Sequence, residues 1–305
     1  MHIINIIIPV YNEEKNIKPV CEALDINVKE NYEIIFVDDG STDHTFNAIE
    51  EQSLKDKRIK CISLSRNFGH QNALMAGMQH CKADYIILMD GDGQHPPELI
   101  TQMLQKLQDG FDLVHTRRRS TQDIGAGKKI LAAVFYRFIN FISDTRIEPN
   151  VADFKAFNHK VLHSILEFKE RELFLRGIFS WIGFNTTTID FDAPARMHGK
   201  TKYSFTRMLK LALKGTTSFS FKPLRVALFI GSIISISAFG FAIYALLSYY
   251  QGNTVPGWAS MIIAIMLLGG TQLLAIGLLG EYIASLFTET KHRPLYLVNK
   301  TIGIG

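Results

Sequence analysis

The 305-residue sequence predicts an α/β fold with a mostly parallel sheet flanked by helices, followed by interfacial amphipathic helices and a C-terminal two-helix transmembrane hairpin. Two observations predict this order. Apolar runs of strand length alternate with helical stretches over residues 4–116, as in βαβ units. Further along, no Asp, Glu, Lys or Arg occurs between Val226 and Gly280. The formal net charge of +4 is too small to indicate a nucleic-acid partner.

The first part of the chain has the pattern of a sheet with a ligand at one edge. Apolar runs rich in β-branched residues predict strands at 4–10, 33–39, 59–65, 84–90 and 111–116. Helical stretches lie between them, at about 14–28, 43–55, 70–82 and 97–108. Polar clusters follow the first four strands and read YNEE, DDGSTD, SRNFGH and DGDGQH. Because parallel sheets bind ligands beyond the carboxyl ends of their strands, we expect the site there.

The segment MDGDGQHPPE (89–98) predicts a metal site. Asp90 ends an apolar strand, Gly91 permits a tight turn, and Asp92 returns a second carboxylate close to the first. Two ionised carboxylates repel each other unless a cation joins them. Mg²⁺ or Mn²⁺ accepts such oxygen ligands and keeps positions for substrate phosphates, and Gln94 offers a further oxygen. The alternative is a solvated turn, because a DxD sequence also occurs by chance.

The clusters after the first two strands suit a nucleotide. PVYNEE places Pro9, Tyr11 and Glu13 at a strand end, where an aromatic face and a carboxylate fit the stacking and hydrogen bonding of a nucleobase. Asp39 follows the second strand at the same edge. Asp43 is more simply a cap of the next helix than a ligand contact.

Two uncharged runs, 226–250 and 258–280, predict a membrane hairpin. At about 1.5 Å per residue, each is long enough to cross a hydrocarbon core of about 30 Å. A buried hairpin of a soluble protein is the alternative. Basic residues flank the hairpin and are absent from its loop, so the positive-inside rule places both ends, and everything before residue 226, in the cytoplasm. The three scattered cysteines fit a reduced compartment, and no signal peptide is expected at the N-terminus.

Two further stretches, 128–144 and 204–225, have amphipathic helical patterns. Cationic amphipathic helices lie in the headgroup plane of anionic bilayers. For the first stretch, docking onto the sheet is an equal alternative. The second stretch directly precedes the hairpin, which favours the membrane surface.

These motifs together resemble a known family. PVYNEE, VDDGSTD, SRNFGHQNALMAG and MDGDGQHPPE are similar, in order and spacing, to the inverting family 2 glycosyltransferases with the GT-A fold. The branch that the chain resembles most is the polyprenyl-phosphate glycosyltransferases, which include dolichyl-phosphate mannose synthases and bacterial bactoprenol glucosyltransferases. VADFKAFNHKV, LFLRGIFSWIGF, RMHGKTKYS and the hairpin extend the resemblance over nearly the whole chain. The QxxRW signature of processive members is absent, which favours a single sugar transfer.

The resemblance implies roles for the positions that match the family's motifs. Five of them would hold the nucleotide base and ribose: Pro9, Tyr11, Glu13, Val37 and Asp39. Asp90, Asp92 and Gln94 would hold Mg²⁺ or Mn²⁺, with Gly91 against the donor. Arg117, Arg196 and Lys202 would reach phosphate groups, the last two from a mobile loop at 194–203.

Asp153 matches the aspartate proposed as general base, so Asp92 and Asp153 are the catalytic candidates. Orientation of the acceptor or of a basic side chain is an alternative role for Asp153. Arg118 and Arg119 are expected to be solvated surface.

The implied function is transfer of one hexose to undecaprenyl phosphate at the cytoplasmic face of the bacterial inner membrane, with UDP-glucose as the expected donor. A membrane-anchored, non-catalytic sugar-nucleotide sensor or lipid-translocation partner is the alternative. The expected partners are thus a UDP-hexose, a polyprenyl phosphate and the bilayer, with a possible homo-oligomer. The predicted domains are a cytosolic GT-A catalytic domain (1–203), an interfacial helix (204–225), two transmembrane helices (226–290) and a cytoplasmic tail (291–305).

Overall fold

The computed structural model describes residues 3–119, 151–171, 174–192, 222–251 and 257–304. The chain divides into two compact units. The described residues of the first unit are those up to 192 together with 293–304, and those of the second are 222–251 and 257–292.

The first unit is built on a sheet whose strand order is β7-β5-β6-β4-β1-β2-β3-β8. Strands β6 and β8 run antiparallel to their neighbours, and the other described pairings are parallel. The strands are β1 (Ile4–Val10), β2 (Tyr32–Asp38), β3 (Ile59–Leu64), β4 (Tyr85–Leu88), β5 (Leu113–Arg118), β6 (Val151–Asn158), β7 (Thr186–Phe191) and β8 (Val298–Ile302). The predicted α/β fold with a mostly parallel sheet is confirmed.

Helices flank this sheet. They are α1 (Glu14–Asn27), α2 (Thr45–Lys55), α3 (His70–Gln79), α4 (Leu99–Gln108), α5 (His159–Leu166) and α6 (Leu175–Trp181). All seven residues of β1 are buried, as expected for a central parallel strand covered on both faces. On one face α3 approaches the sheet closely, since a Cβ at Gly77 would clash with Ile7 of β1. This close packing holds α3, whose first residue belongs to the candidate site, against the sheet.

Strand β6 lies between β4 and β5 and was not among the predicted strands. Its sequence, VADFKAFN, interrupts the apolar residues with Asp153 and Lys155, which hides the strand pattern. The antiparallel register pairs Leu88 of β4 with Lys155. The start of β6 therefore lies beside the carboxyl end of β4, which brings Asp153 to the edge where the ligand site is expected.

The C-terminal segment also differs from its expected form. The sequence predicts a cytoplasmic tail at residues 291–305. In the structure, β8 in this segment pairs antiparallel with β3 and forms one edge of the sheet. An edge strand in this position covers backbone groups of β3 that would otherwise be unpaired.

The second unit contains two long helices, α7 (Lys222–Tyr250) and α8 (Trp258–Thr290). Two windows within them, Leu224–Phe241 and Leu267–Thr290, are long and apolar enough to cross a membrane. Their 18 and 24 residues correspond to about 27 and 36 Å of helix. Residues 222–225 belong to α7 rather than to a separate interfacial helix. The remainder of that predicted helix, and all of 128–144, lie outside the described residues.

Candidate functional site

The carboxyl ends of β1 and β2 carry the first two polar clusters, and the structure joins them. The backbone N–H of Asn12 donates to Ser41 Oγ at 3.0 Å, and the N–H of Thr42 donates back to Asn12 Oδ1 at 2.8 Å. The N–H of Glu13 donates to Thr45 Oγ1 at 2.9 Å. The YNEE and DDGSTD loops thus form one rigid rim, as the parallel topology predicts.

Four of the predicted nucleotide positions lie on this rim or directly beneath it. Tyr11 and Glu13 are partly exposed, so their side chains are accessible to a ligand. Pro9 and Val37 are paired across β1 and β2 and are buried. Val37 packs toward α3, since a Cβ at Gly77 would lie 3.1 Å from Val37 Cγ2. The side chain of Val37 therefore packs toward α3, beneath the rim.

Asp39 connects the rim to the loop between β3 and α3. Its two carboxylate oxygens accept hydrogen bonds from the backbone N–H groups of Phe68 and Gly69, at 2.7 and 2.9 Å. The residue is only 3% exposed. Burial raises the pKa of Asp39, although these two hydrogen bonds oppose the change. Asp39 therefore has a positioning role in the SRNFGH loop in addition to its predicted place at the nucleotide site.

Asp90 is the centre of a second group of contacts. Its Oδ1 lies 2.8 Å from Nε2 of His70, and its Oδ2 lies 3.6 Å from Nε2 of His95. Burial raises the pKa of Asp90, but the hydrogen bond from His70 and the electrostatic interactions with His95 and His70 outweigh it and hold the pKa at about 2. Burial lowers the pKa of His70, but the hydrogen bond and the charge of Asp90 have a larger, opposite effect. The pKa of His70 is therefore raised above its ordinary value. Asp90 is therefore ionised in the folded protein.

His95 supports Asp90 from beneath and is itself 2% exposed. Its Nδ1 accepts the backbone N–H of Asp90 at 2.9 Å, which places the ring proton on Nε2. The ring stacks on Phe154 of β6 with centroids 5.0 Å apart. Burial lowers the pKa of His95, so the ring is held neutral. Within the described part of the chain Nε2 has no hydrogen-bond partner.

The DGDGQ turn continues the site from Asp90. Asp92 Oδ1 accepts the backbone N–H of Gln94 at 3.1 Å, which folds the turn back on itself. Gly91 sits so close to β1 that a Cβ there would lie 2.9 Å from Val10 Cγ1. A larger residue at this position would force Val10 or the turn to shift, so glycine permits this close approach.

The donor set in this turn fits a hard divalent ion. No cluster of three or more His, Cys, Asp or Glu side chains suited to a metal occurs among the described residues. Asp90, Asp92 and Gln94 nevertheless provide two carboxylates and an amide oxygen, and Asp90 is ionised. Mg²⁺ and Mn²⁺ sites commonly use one or two carboxylates and complete the shell with substrate phosphate and water. The residues present match that pattern.

The neighbouring arginines Arg117 and Arg118 of β5 have different partners. Arg117 donates to both carboxylate oxygens of Asp190 on β7, at 2.7 and 3.1 Å. Its neighbour Arg118 points to the other face, where Nη1 donates to Gln94 Oε1 at 3.3 Å. The expectation that Arg118 is only solvated surface is therefore wrong. Arg118 is in contact with the DGDGQ turn through Gln94.

Asp153 lies at the start of β6, next to this turn, in a strong ion pair. Arg176 of α6 donates to both of its carboxylate oxygens, at 2.8 and 2.7 Å. Lys155 lies 3.9 Å away and is 2% exposed. Burial raises the pKa of Asp153, but the bonds and charge of Arg176, together with Lys155, hold it well below its usual range. A carboxylate with so low a pKa is a weak proton acceptor.

The sequence patterns did not identify three residues of this site, which are His70, His95 and Arg176. The two histidines do lie in the polar clusters SRNFGH and DGDGQH, so the strand-end position was an available signal. Arg176 lies in LFLRGIFSW, which has no local feature that connects it to Asp153. Arg196 and Lys202 lie outside the described residues.

Comparison with known proteins identifies the family of the chain. The family described as glycosyl transferase family 2 matches residues 5–166, which include β1 to β6 and the DGDGQ turn. An uncharacterized glycosyltransferase of Bacillus subtilis, YkcC, is 40% identical over 98% of this chain and 94% of its own length. A bactoprenol glucosyl transferase of Shigella phage SfV is 38% identical over 97% of both chains.

Among solved structures, a mycobacterial protein is similar with a TM-score of 0.50 and 16% identity, covering 71% of this chain and 73% of its own. That likeness supports the fold alone. The match to the family model and the similarity to full-length relatives also show the family. The chain belongs to glycosyl transferase family 2.

Proposed function

We propose that this protein transfers one hexose from a nucleotide sugar, with UDP-glucose as the expected donor, to undecaprenyl phosphate. One observation carries the proposal: the nucleotide rim, the DGDGQ turn and the Asp153–Arg176 pair meet at one edge of the sheet. The full-length similarity to a relative named bactoprenol glucosyl transferase supports a polyprenyl phosphate as acceptor.

The donor would bind along the carboxyl ends of β1, β2 and β4. Tyr11 and Glu13 would offer an aromatic face and a carboxylate to the nucleotide, and Pro9, Val37 and Asp39 remain proposed contacts of its base and ribose. Arg118 lies beside Gln94 and could provide a cationic donor to the diphosphate. Arg117, Arg196 and Lys202 remain proposed phosphate contacts from the resemblance.

Asp90, Asp92 and Gln94 would hold Mg²⁺ or Mn²⁺. A divalent ion in this position offsets the charge that builds up on the departing diphosphate. The chain's own contribution is to keep Asp90 ionised and fixed, through His70 on one side and His95 beneath.

The transfer would be a single displacement. An oxygen of the acceptor phosphate forms the new bond to the anomeric carbon as the bond from that carbon to the nucleoside diphosphate breaks, so the configuration inverts. A phosphate monoester has a second pKa of about 6 and is largely ionised at cytosolic pH. The attacking oxygen therefore needs no strong general base. The pairing of Asp153 with Arg176 favours the alternative role, in which Asp153 orients a basic side chain.

The two apolar helices would anchor the enzyme beside its lipid acceptor. Exposed side chains along both helices are mainly apolar, as a hydrocarbon environment requires. In the proposed arrangement both termini and the catalytic unit are cytoplasmic, at the inner membrane of a bacterium. Assembly into a homo-oligomer through these helices is part of the same proposal.

A donor panel tests this function. Membranes that contain the protein are incubated with undecaprenyl phosphate, Mg²⁺ and one labelled nucleotide sugar at a time, and the lipid is then extracted. We expect label from UDP-glucose in the organic phase, and none with Asp92→Asn. Label from a different donor would change only the proposed identity of the sugar and would leave the proposed reaction in place. A lipid fraction without label from any common donor would favour the non-catalytic sensor.

A further inference from the structure

We propose that the C-terminal segment, residues 296–302, positions the loop between β3 and α3, and through it the nucleotide rim. This inference rests on the proposed function, because it takes the rim as the donor site. It makes the residues that follow the last long helix a working part of the catalytic unit rather than a tail.

The first observation is that the segment continues its pairing beyond the end of β3. In the β3–β8 ladder Cys61 pairs with Ile302 and Ser63 with Lys300, and the register then shifts so that Leu64 pairs with Val298. The backbone N–H of Ser65, the first residue after β3, donates to the carbonyl of Leu297 at 2.9 Å. The segment therefore holds the first residue of the loop as well as the strand.

Side chains on the segment add contacts to the two helices that precede and follow β3 in the chain. The hydroxyl of Tyr296 donates to Oε1 of Gln79, the last residue of α3. Lys300 Nζ lies 5.4 Å from the ring centroid of Phe46 in α2. In addition, Arg171 Nη1 donates to the carbonyl of Arg293 at 3.0 Å, just before the segment. The segment is thus fixed at several independent points.

The loop in turn is in direct contact with the rim. A Cβ at Gly40, next to Asp39, would overlap the backbone of Arg66, so the DDG turn and the loop lie in tight contact. Gly40 has a φ of 68°, which also favours glycine. Beyond Arg66, the N–H groups of Phe68 and Gly69 bind the carboxylate of Asp39. A shift at Ser65 would therefore be transmitted to Asp39 over a few residues.

The same loop leads into α3, whose first residue is His70. His70 binds Asp90 at 2.8 Å, and Asn72 Nδ2 donates to the carbonyl of Phe68 at 2.8 Å. Both predicted parts of the donor site, at Asp39 and at Asp90, are thus contacted by residues that follow Ser65. This is the physical route by which β8 would act on nucleotide binding.

The test compares two truncations of the full-length protein in lipid nanodiscs. One removes residues 297–305, and the matched control removes only 304–305 and keeps β8. Binding of UDP and of GDP, each with Mg²⁺, is measured by calorimetry, and amide hydrogen exchange is followed across the chain. We expect the longer truncation to weaken nucleotide binding at least tenfold, to speed exchange at 65–70, and to leave exchange in β5 and β7 unchanged. The control should behave as the intact protein.

Addition of a synthetic peptide of residues 293–305 should restore both binding and protection, because a strand can add to an open sheet edge. Unchanged affinity and unchanged exchange at 65–70 in the longer truncation would overturn the proposal. If that truncation does not fold, Tyr296→Phe decides, with Tyr250→Phe as the control. We expect Tyr296→Phe to weaken nucleotide binding roughly threefold and to speed exchange at 65–70, the scale of one lost hydrogen bond. No change in either measurement would overturn the proposal.

Failure of the proposed function would give a different result. If the intact protein binds neither UDP nor GDP, the nucleotide site is wrong. The exchange comparison at residues 65–70 then still decides whether the segment positions the loop.

Discussion

Arg176 donates two hydrogen bonds to Asp153, one to each carboxylate oxygen, at 2.8 and 2.7 Å. A two-bond pair of this geometry is among the stronger side-chain interactions in proteins. It links α6 to the start of β6, beside the DGDGQ turn. The pair also makes Asp153 a weak proton acceptor, because a carboxylate held by arginine resists protonation.

Asp153→Asn and Arg176→Lys should each lower kcat/KM for sugar transfer by roughly 10- to 100-fold, since both break the same two-bond pair. The double variant should lose little more than either single variant, because the two residues act as one unit. Steady-state kinetics of all four proteins would measure the coupling. A general base at Asp153 would instead give additive losses and remove the acidic limb of the pH–rate profile.

Asp92→Asn should abolish transfer while the protein remains folded and in the membrane fraction. The change removes a carboxylate charge at almost constant volume, so packing is not altered. Asp109→Asn is the matched control, since this aspartate is exposed and pairs only weakly with Lys106 at 3.5 Å. Transfer is measured over a titration of Mg²⁺ and Mn²⁺. Near-normal activity of Asp92→Asn at low metal concentration would contradict the metal role.

Arg117→Ala and Arg118→Ala form a pair that separates the two arginines of β5. Arg118 contacts Gln94 of the DGDGQ turn, so its loss should raise KM for the nucleotide sugar by about tenfold, as for a hydrogen bond to a charged group. Arg117 pairs with Asp190 in an exposed position, and its loss should change KM by less than about threefold. The reverse order of effects would favour the role that the family resemblance gives to Arg117.

Lys155 should make the stability of the protein depend on pH. Burial lowers its pKa from 10.5 to about 8, and Arg176 adds to this, although Asp153 opposes it. Between about pH 8 and 10.5 the unfolded chain still binds a proton that the folded protein has lost, so the free energy of unfolding rises with pH. The total gain is at most about 3 kcal/mol. His115, opposite Lys155 on β5, has a pKa lowered by burial to about 3 and stays neutral throughout this window.

Lys155→Met isolates this contribution, because the other groups that titrate in the same range are present in both proteins. The free energy of unfolding of the two proteins is measured in urea from pH 7 to 10.5. The value for the wild type should rise relative to that for Lys155→Met as the pH rises. Lys160→Met, at an exposed lysine, should leave the profile unchanged. A difference between wild type and Lys155→Met that is constant over this range would show that Lys155 does not titrate there.

The sequence predicted the central sheet and most of the polar loops at the edge that carries the candidate site. Strands β1 to β4 and the helices between them lie within about three residues of their predicted limits, because buried parallel strands require continuous apolar runs. The rim formed by YNEE and DDGSTD was predicted for the same reason: parallel strands bring their carboxyl ends to one edge. The motif MDGDGQHPPE predicted roles for Asp90 and Asp92, and the family resemblance implied one for Asp153.

Tertiary structure alone decided what those residues contact. Asp153 and Arg176 lie 23 positions apart, and His70 and Asp90 lie 20 apart, so no local periodicity connects them. Strand β8 has only five residues and an exposed pattern, and its place in the sheet depends on an unpaired edge of β3. The pattern of residues along the chain thus predicts where apolar side chains are buried and which polar residues follow the strands. Hydrogen bonds and ion pairs act over about 3 Å, so their partners were decided only when the topology brought distant segments together.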